Sequence, residues 1–172
     1  GRETDRVRWP QTIAAGTASH ETVCLIDLIA TCADVIGDVL PDNVGEDSVS
    51  NLLAWCGESI PTSLREATVH SSVNGSLAIR QGQWKLEMCP GSGGWSYPKP
   101  GVETDGLPPL QLYDLATDIG ETANVAADHP DIVESLTDLL TRYITQGRST
   151  PGEPQQNEGG SHWTQLWWMA QE

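Results

Sequence analysis

The chain has 172 residues, nine Lys and Arg against 24 Asp and Glu, and a net charge of −15. That length suits one domain, or one domain with a tail, and at this size folding buries about 70% of the unfolded surface. The acidic balance excludes nucleic acid and anionic membrane as partners, because phosphate recognition needs basic patches.

The opening, GRETDRVRWPQTIAAG, lacks Met, carries no signal-peptide pattern and enters in mid-pattern, so a truncated start is expected. No apolar run approaches membrane-spanning length. Val23–Ile36 is the first strong helical signal. Leu25, Ile26, Leu28, Ile29, Cys32, Ala33 and Ile36 recur at i, i+3, i+4, i+7 spacing, Thr22 or Asp27 marks the start, and Gly37 is a natural C-cap. This helix must bury that face, and part of its partner is expected to lie outside the sequence. The turn-rich Leu40–Asp47 leads to a short second helix over Ser48–Trp55, capped by Asp47 or Ser48.

Leu64–Cys89 reads as a three-stranded meander. Its strands are Glu66–Ser71, Leu77–Gln81 and Trp84–Met88, with an Asn74-Gly75 turn between the first two. Trp84, Leu86 and Met88 share one face, opposite Lys85 and Glu87. Pro90–Pro109 follows as a long loop dense in Gly and Pro, of a length that is usually functional or disordered. Trp95 and Tyr97 interrupt it. Either the two rings pack back on the sheet, which is the favoured expectation, or Trp95 stacks on a ligand.

Leu110–Leu115 returns as a fourth strand. Asp118, Gly120, Glu121 and Asn124 supply turn chemistry, and Pro130 suits the first turn of a helix over Asp131–Gln146, capped by Asp128 or His129. Ile132, Val133, Leu136, Leu139, Leu140, Tyr143 and Ile144 form one apolar stripe, which is expected to lie across the sheet. Gly147 ends the helix. Ser149–Gly160 is a Pro/Gly/Gln-rich extension, and the aromatic terminus HWTQLWWMAQE is expected to dock onto a surface.

Few residues offer chemistry. Cys24, Cys32, Cys56 and Cys89 form no C-x-x-C and no zinc-ligand pattern; Cys24 and Cys32 read as core, and a Cys56–Cys89 disulfide stays open. Asp114, Asp118 and Glu121 cluster, but turn chemistry explains them better than a metal or catalytic role. His70, at the end of the first strand beside the Asn-Gly turn, is a candidate through its near-neutral titration. No phosphate loop, G-x-S-x-G elbow or H-E-x-x-H occurs. The residues alone describe an acidic α+β domain with a four-stranded antiparallel sheet and a covering helix.

The ordered segments VCLIDLIATCADVIG, LPDNVGEDSVSNL, GSLAIRQGQWKL, LYDLATDIGETANV and GRSTPGEPQ resemble the C-terminal part of the arylsulfatase family, in particular bacterial members acting on sulfated carbohydrates. The resemblance implies an α+β fragment of an α/β sulfatase fold. Residues 1–63 would be the end of the large catalytic domain, contributing its helices. Residues 64–148 would be the C-terminal subdomain, with the four-stranded sheet and the long helix, and 149–172 an extended tail. It implies sulfate-ester hydrolysis by the parent protein, with a formylglycine nucleophile and a calcium ion held by Asp and Asn, and a periplasmic or secreted location. None of the four cysteines fits C-x-[PA]-x-R, so no catalytic or metal-binding residue transfers to this chain, and calcium and formylglycine are expected in the missing N-terminal part. The C-terminal subdomain borders the substrate cleft in the family, which nominates His70, Asn74 and Trp95 as substrate-binding residues. Where relatives carry His-His-Ser, this chain has His70-Ser71-Ser72, so only the first position matches. The expected partner is a sulfated carbohydrate or aryl sulfate ester in the full-length protein, with this chain inactive alone. The competing reading is a stand-alone carbohydrate-binding or interaction domain.

Overall fold

A computed structural model describes residues 5–60, 62–158 and 163–169. The chain forms two compact units: Gly1–Glu66 with Arg148–Gln155, and Ala67–Gly147 with Gln156–Glu172.

The second unit is built on an antiparallel meander, β1 (Thr68–Ser71), β2 (Leu77–Gln81), β3 (Trp84–Glu87) and β4 (Gln111–Asp114), in sequential order. Period-two alternation sorts its side chains into two faces. Val69, Ile79, Leu86 and Leu112 stand in one cross-strand row and meet the long helix, here α3 (Pro130–Gln146). Leu136, Leu139, Leu140 and Tyr143 of α3 are buried with Ala67, Ile79, Leu86, Met88 and Leu112. Each fully buried aliphatic side chain stabilises this core by about 2 kcal/mol. The four-stranded sheet and its covering helix therefore stand as the sequence pattern requires. β2 has the expected bounds, and the other three strands run one or two residues shorter than expected.

The ends of α3 follow local chemistry. Pro130 occupies the first turn, where its missing N–H leaves no bond unmade. His129 holds the N-cap position without a side-chain cap bond; its ring instead lies tilted against Trp84, centroids 4.9 Å apart. Gly147 closes the helix in the left-handed region at φ 63°. The aromatic terminus docks as expected. Trp167 Nε1–H donates to the Met88 carbonyl at 3.1 Å, and Trp168 Nε1–H donates to Thr141 Oγ1 at 3.0 Å. His162 and residues 170–172 lie outside the described residues.

The first unit corrects a sequence expectation. Its main helix, here α1, covers Leu28–Ile36, preceded by a single 3-10 turn at Leu25–Asp27, rather than running unbroken from Val23. The apolar stripe that should be buried faces outward: Leu25 is 71% exposed and Ile36 75%, with Ile26, Leu28 and Ile29 also open. The buried side is Asp27, Thr31 and Ala33. Polar bonds hold it. Asp27 Oδ2 accepts from the Cys24 N–H at 2.7 Å, and its Oδ1 accepts from the Val49 N–H at 3.1 Å and pairs with the Arg65 guanidinium. Thr31 Oγ1 accepts from the Asn51 N–H at 3.0 Å, and Ser48 Oγ accepts from the Ala30 N–H at 3.0 Å. Ser48 thus serves α1, and Asp47 accepts from the Ser149 N–H at 2.8 Å. Neither caps the next helix, so that helix, α2, shrinks to Leu52–Cys56.

Arg148–Gln155 folds against the same unit. The buried Arg148 guanidinium donates to the carbonyls of Asp42, Thr150, Pro151 and Glu153, to Thr150 Oγ1, and to Asp42 Oδ1 at 3.1 Å. Gly152 sits at φ 147°, and a Cβ there would lie 2.3 Å from Arg148 Nη1, so the clasp needs glycine. Cys56 and Cys89 form no disulfide, which removes the Cys56–Cys89 bridge, and Cys32, expected in a core, is exposed.

Candidate functional site

The face of the sheet turned away from α3 is polar and preorganised. Thr68, Arg80, Lys85 and Tyr113 form one cross-strand row, and His70, Ala78, Glu87 and Gln111 the next. Lys85 Nζ sits 2.7 Å from both Glu87 Oε1 and Glu121 Oε2. Burial opposes the lysine's charge, but the two carboxylates outweigh it and hold its pKa above the ordinary value. Gln111 Nε2 donates to the Cys89 and Gly91 carbonyls at 2.9 and 2.8 Å, and Tyr113 O–H donates to Gln111 Oε1 at 2.7 Å. Burial first, and then the charges of Glu87 and Glu121, push the Tyr113 phenol up to about 12.

His70 closes β1 on this face. Its side chain is exposed. Desolvation, followed by the positive charge of Lys85, lowers its pKa, while Glu121 works in the opposite direction. The imidazole is therefore biased toward its neutral form, which both donates and accepts hydrogen bonds. Asn74 lies in the adjoining β1–β2 turn. Its Oδ1 accepts from the Ser76 N–H at 3.0 Å and from Ser72 Oγ at 2.7 Å, so this side chain builds the turn.

The long loop after β3 returns to this same end of the sheet. The Asn74 N–H donates to the Gly93 carbonyl at 3.2 Å. A Cβ on Gly93 would lie 2.6 Å from Ser72 Oγ, so only glycine permits that approach. Trp95 follows two residues later. The structure thus brings the turn that carries Asn74, the strand end that carries His70, and the loop that carries Trp95 to one edge of the sheet. The expectation that Trp95 and Tyr97 pack back on the sheet fails. The two residues are 83% and 74% exposed.

Of the carboxylates considered in the β4–α3 turn, Asp114 accepts from the Ala116 N–H and Asp118 from the Thr122 and Ala123 N–H groups, as turn chemistry requires. Hydrogen bonds from those backbone groups hold the Asp118 pKa below the ordinary value. Glu121 departs from that reading by leaving the turn to reach Lys85. Period-two alternation marks Lys85 and Glu87 as facing away from the core; the reach from Glu121, over 36 positions, carries no local signal. Among the described residues, no group of three or more His, Cys, Asp or Glu side chains is arranged to hold a metal ion. Also among the described residues, no helix is long and apolar enough to cross a membrane.

No protein-family model matches the chain. It is 33% identical over 143 residues to the N-acetylgalactosamine-6-O-sulfatase of Bacteroides thetaiotaomicron, covering 81% of this chain and 27% of that protein. A Bacteroides thetaiotaomicron structure from a study of glycosaminoglycan metabolism superposes with a TM-score of 0.56 at 34% identity, over 69% of this chain and 24% of the other. The chain belongs to the sulfatase family. Arylsulfatase K of Mus musculus is 27% identical over 85% of this sulfatase chain and 26% of its own length. A structure solved with its substrate D-glucosamine-2-N,6-O-disulfate has a TM-score of 0.59 over 88% of this chain and 29% of the other; at 21% identity it supports the fold alone. The sulfatase chain spans about a quarter of the length of these relatives and corresponds to a C-terminal portion of the family fold.

Proposed function

We propose that this chain completes the fold and shapes the substrate cleft of a hydrolase acting on sulfate esters of carbohydrates, and that it is inactive alone. One observation carries the reading: the apolar stripe of Leu25, Ile26, Leu28, Ile29 and Ile36 lies open in a chain that spans about a quarter of its relatives. An orphaned core face of that kind marks a missing partner surface. A stand-alone binding domain would cover it. The carbohydrate part of the reading is supported by the relative named for N-acetylgalactosamine 6-O-sulfate hydrolysis. In that setting the open edge at His70, Asn74 and Trp95 faces sugar, and the formylglycine and calcium chemistry belongs to the longer polypeptide. A periplasmic or secreted location belongs to the same proposal, and fractionation of the native host checks it.

The test is a sulfate-release assay on N-acetylgalactosamine 6-sulfate. The 172-residue chain should release none, with or without calcium, while the longer natural polypeptide should turn over. Calcium-dependent release by the chain alone would overturn the reading.

A further inference from the structure

We propose that Gln165 is a positioning residue: it pins the Asn74-Gly75 turn, so that the Asn74 Nδ2 donor is held fixed at the open edge of the sheet. That this donor meets substrate rests on the function proposed above. The pin itself rests on hydrogen bonds between segments far apart in sequence.

The aromatic segment Thr164–Met169 is anchored independently of Gln165. Trp168 packs against the core shared by α3 and the sheet and donates to Thr141 Oγ1, while Trp167 donates to the Met88 carbonyl just after β3. With the backbone held on two elements, placing Gln165 costs little further ordering entropy. Gln165 reaches a third element. Its Nε2–H donates to the Asn74 carbonyl at 2.8 Å, across 91 positions. The Thr164 hydroxyl donates to Gln165 Oε1 at 3.2 Å, which sets the amide with its nitrogen toward the turn. A Cβ on Gly75 would lie 3.3 Å from Gln165 Nε2, and Gly75 sits at φ 85°, so the side chain runs close along a turn that needs glycine.

Asn74 shows what the pin secures. Its N–H donates to the Gly93 carbonyl, its Oδ1 accepts from the Ser76 N–H and Ser72 Oγ, and its carbonyl accepts from Gln165. Its own turn, the loop after β3 and the aromatic segment thus converge on one exposed residue. Among the described residues, Nδ2 is the polar group of Asn74 left without a partner. An amide donor that is held on every other side and left free meets an acceptor oxygen without reorganising. The Asn-Gly pair and the Asn74 Oδ1 bonds form the turn without help from Gln165. The contribution of Gln165 is therefore to hold the turn in place, not to make it.

The experiment joins amide hydrogen exchange in the 172-residue chain to sulfate-release kinetics of the longer polypeptide on N-acetylgalactosamine 6-sulfate. Gln165→Met keeps the length of the side chain and deletes its donor. It should speed exchange of the amides of residues 74–76 about fivefold, the scale of one hydrogen bond, and leave the core amides of β2 and β3 unchanged. In the longer polypeptide it should raise KM about fivefold with kcat unchanged. Asn74→Asp keeps the Oδ1 acceptor and deletes the Nδ2 donor. It should also raise KM, and Gln165→Met should then add nothing, because it acts through Asn74. Unchanged turn exchange in Gln165→Met would overturn the proposal. So would a KM that rises in Asn74→Asp but not in Gln165→Met, or full additivity of the two. An unchanged KM in Asn74→Asp would sink the reading of this edge as substrate-facing, and the proposal with it. If the longer polypeptide releases no sulfate, the hydrolase reading fails, and the exchange result alone decides whether Gln165 pins the turn.

Discussion

Helices α1 and α3 carry comparable apolar stripes in the sequence and meet opposite fates. The stripe of α3 lies on Ile79, Leu86 and Leu112 and closes a core within its own unit. The stripe of α1 stays open, and that helix is held by its polar side through Asp27 and Thr31. One unit is stabilised by area removed from water, the other by a few desolvated hydrogen bonds and an ion pair. The lesson is that an amphipathic pattern says a face wants burial; whether the covering surface is at hand is a separate matter.

Substitutions can break this contrast. The largest expected effect is Asp27→Ala, which strands the Arg65 guanidinium and two N–H groups in a buried site and should cost the first unit about 4 kcal/mol. Urea unfolding followed separately by Trp55 and by sheet signals should show that loss in one unit alone. Leu140→Ala should cost the second unit about 3 kcal/mol, since Leu140 is fully buried between helix and sheet. If both units lose stability equally in either variant, the contrast collapses.

A pH titration sharpens the comparison further. The folded phenol of Tyr113 is raised to about 12 from an ordinary value near 10, so its contribution is fully present below pH ~10 and is lost as pH rises toward ~12. Wild type should lose stability over that window, and Tyr113→Phe should flatten the loss, read as melting temperature against pH. The smallest effect is Ile36→Ser. Removing an apolar side chain that is already exposed should change this chain's stability by less than about 0.5 kcal/mol. A larger loss would mean that the outward face of α1 is covered after all.

The sheet order, α3 with its Pro130 start and Gly147 stop, and the turns at Asn74-Gly75 and Asp118 were all legible in the residues. Each rests on contacts a few positions apart or on strict alternation, which a linear pattern records. The candidate site was legible in part. His70, Asn74 and Trp95 stand out by type and position, but not that Asn74 Oδ1 is occupied by its own turn. Tertiary structure alone decided three things. Gly93 seats the long loop against Ser72 while Trp95 stays exposed. Glu121 crosses to Lys85. Asp27 gathers Cys24, Val49 and Arg65, so α1 buries its polar side. Each joins groups that are distant along the chain or set by the space available to a single atom, and pattern in one dimension carries no term for either.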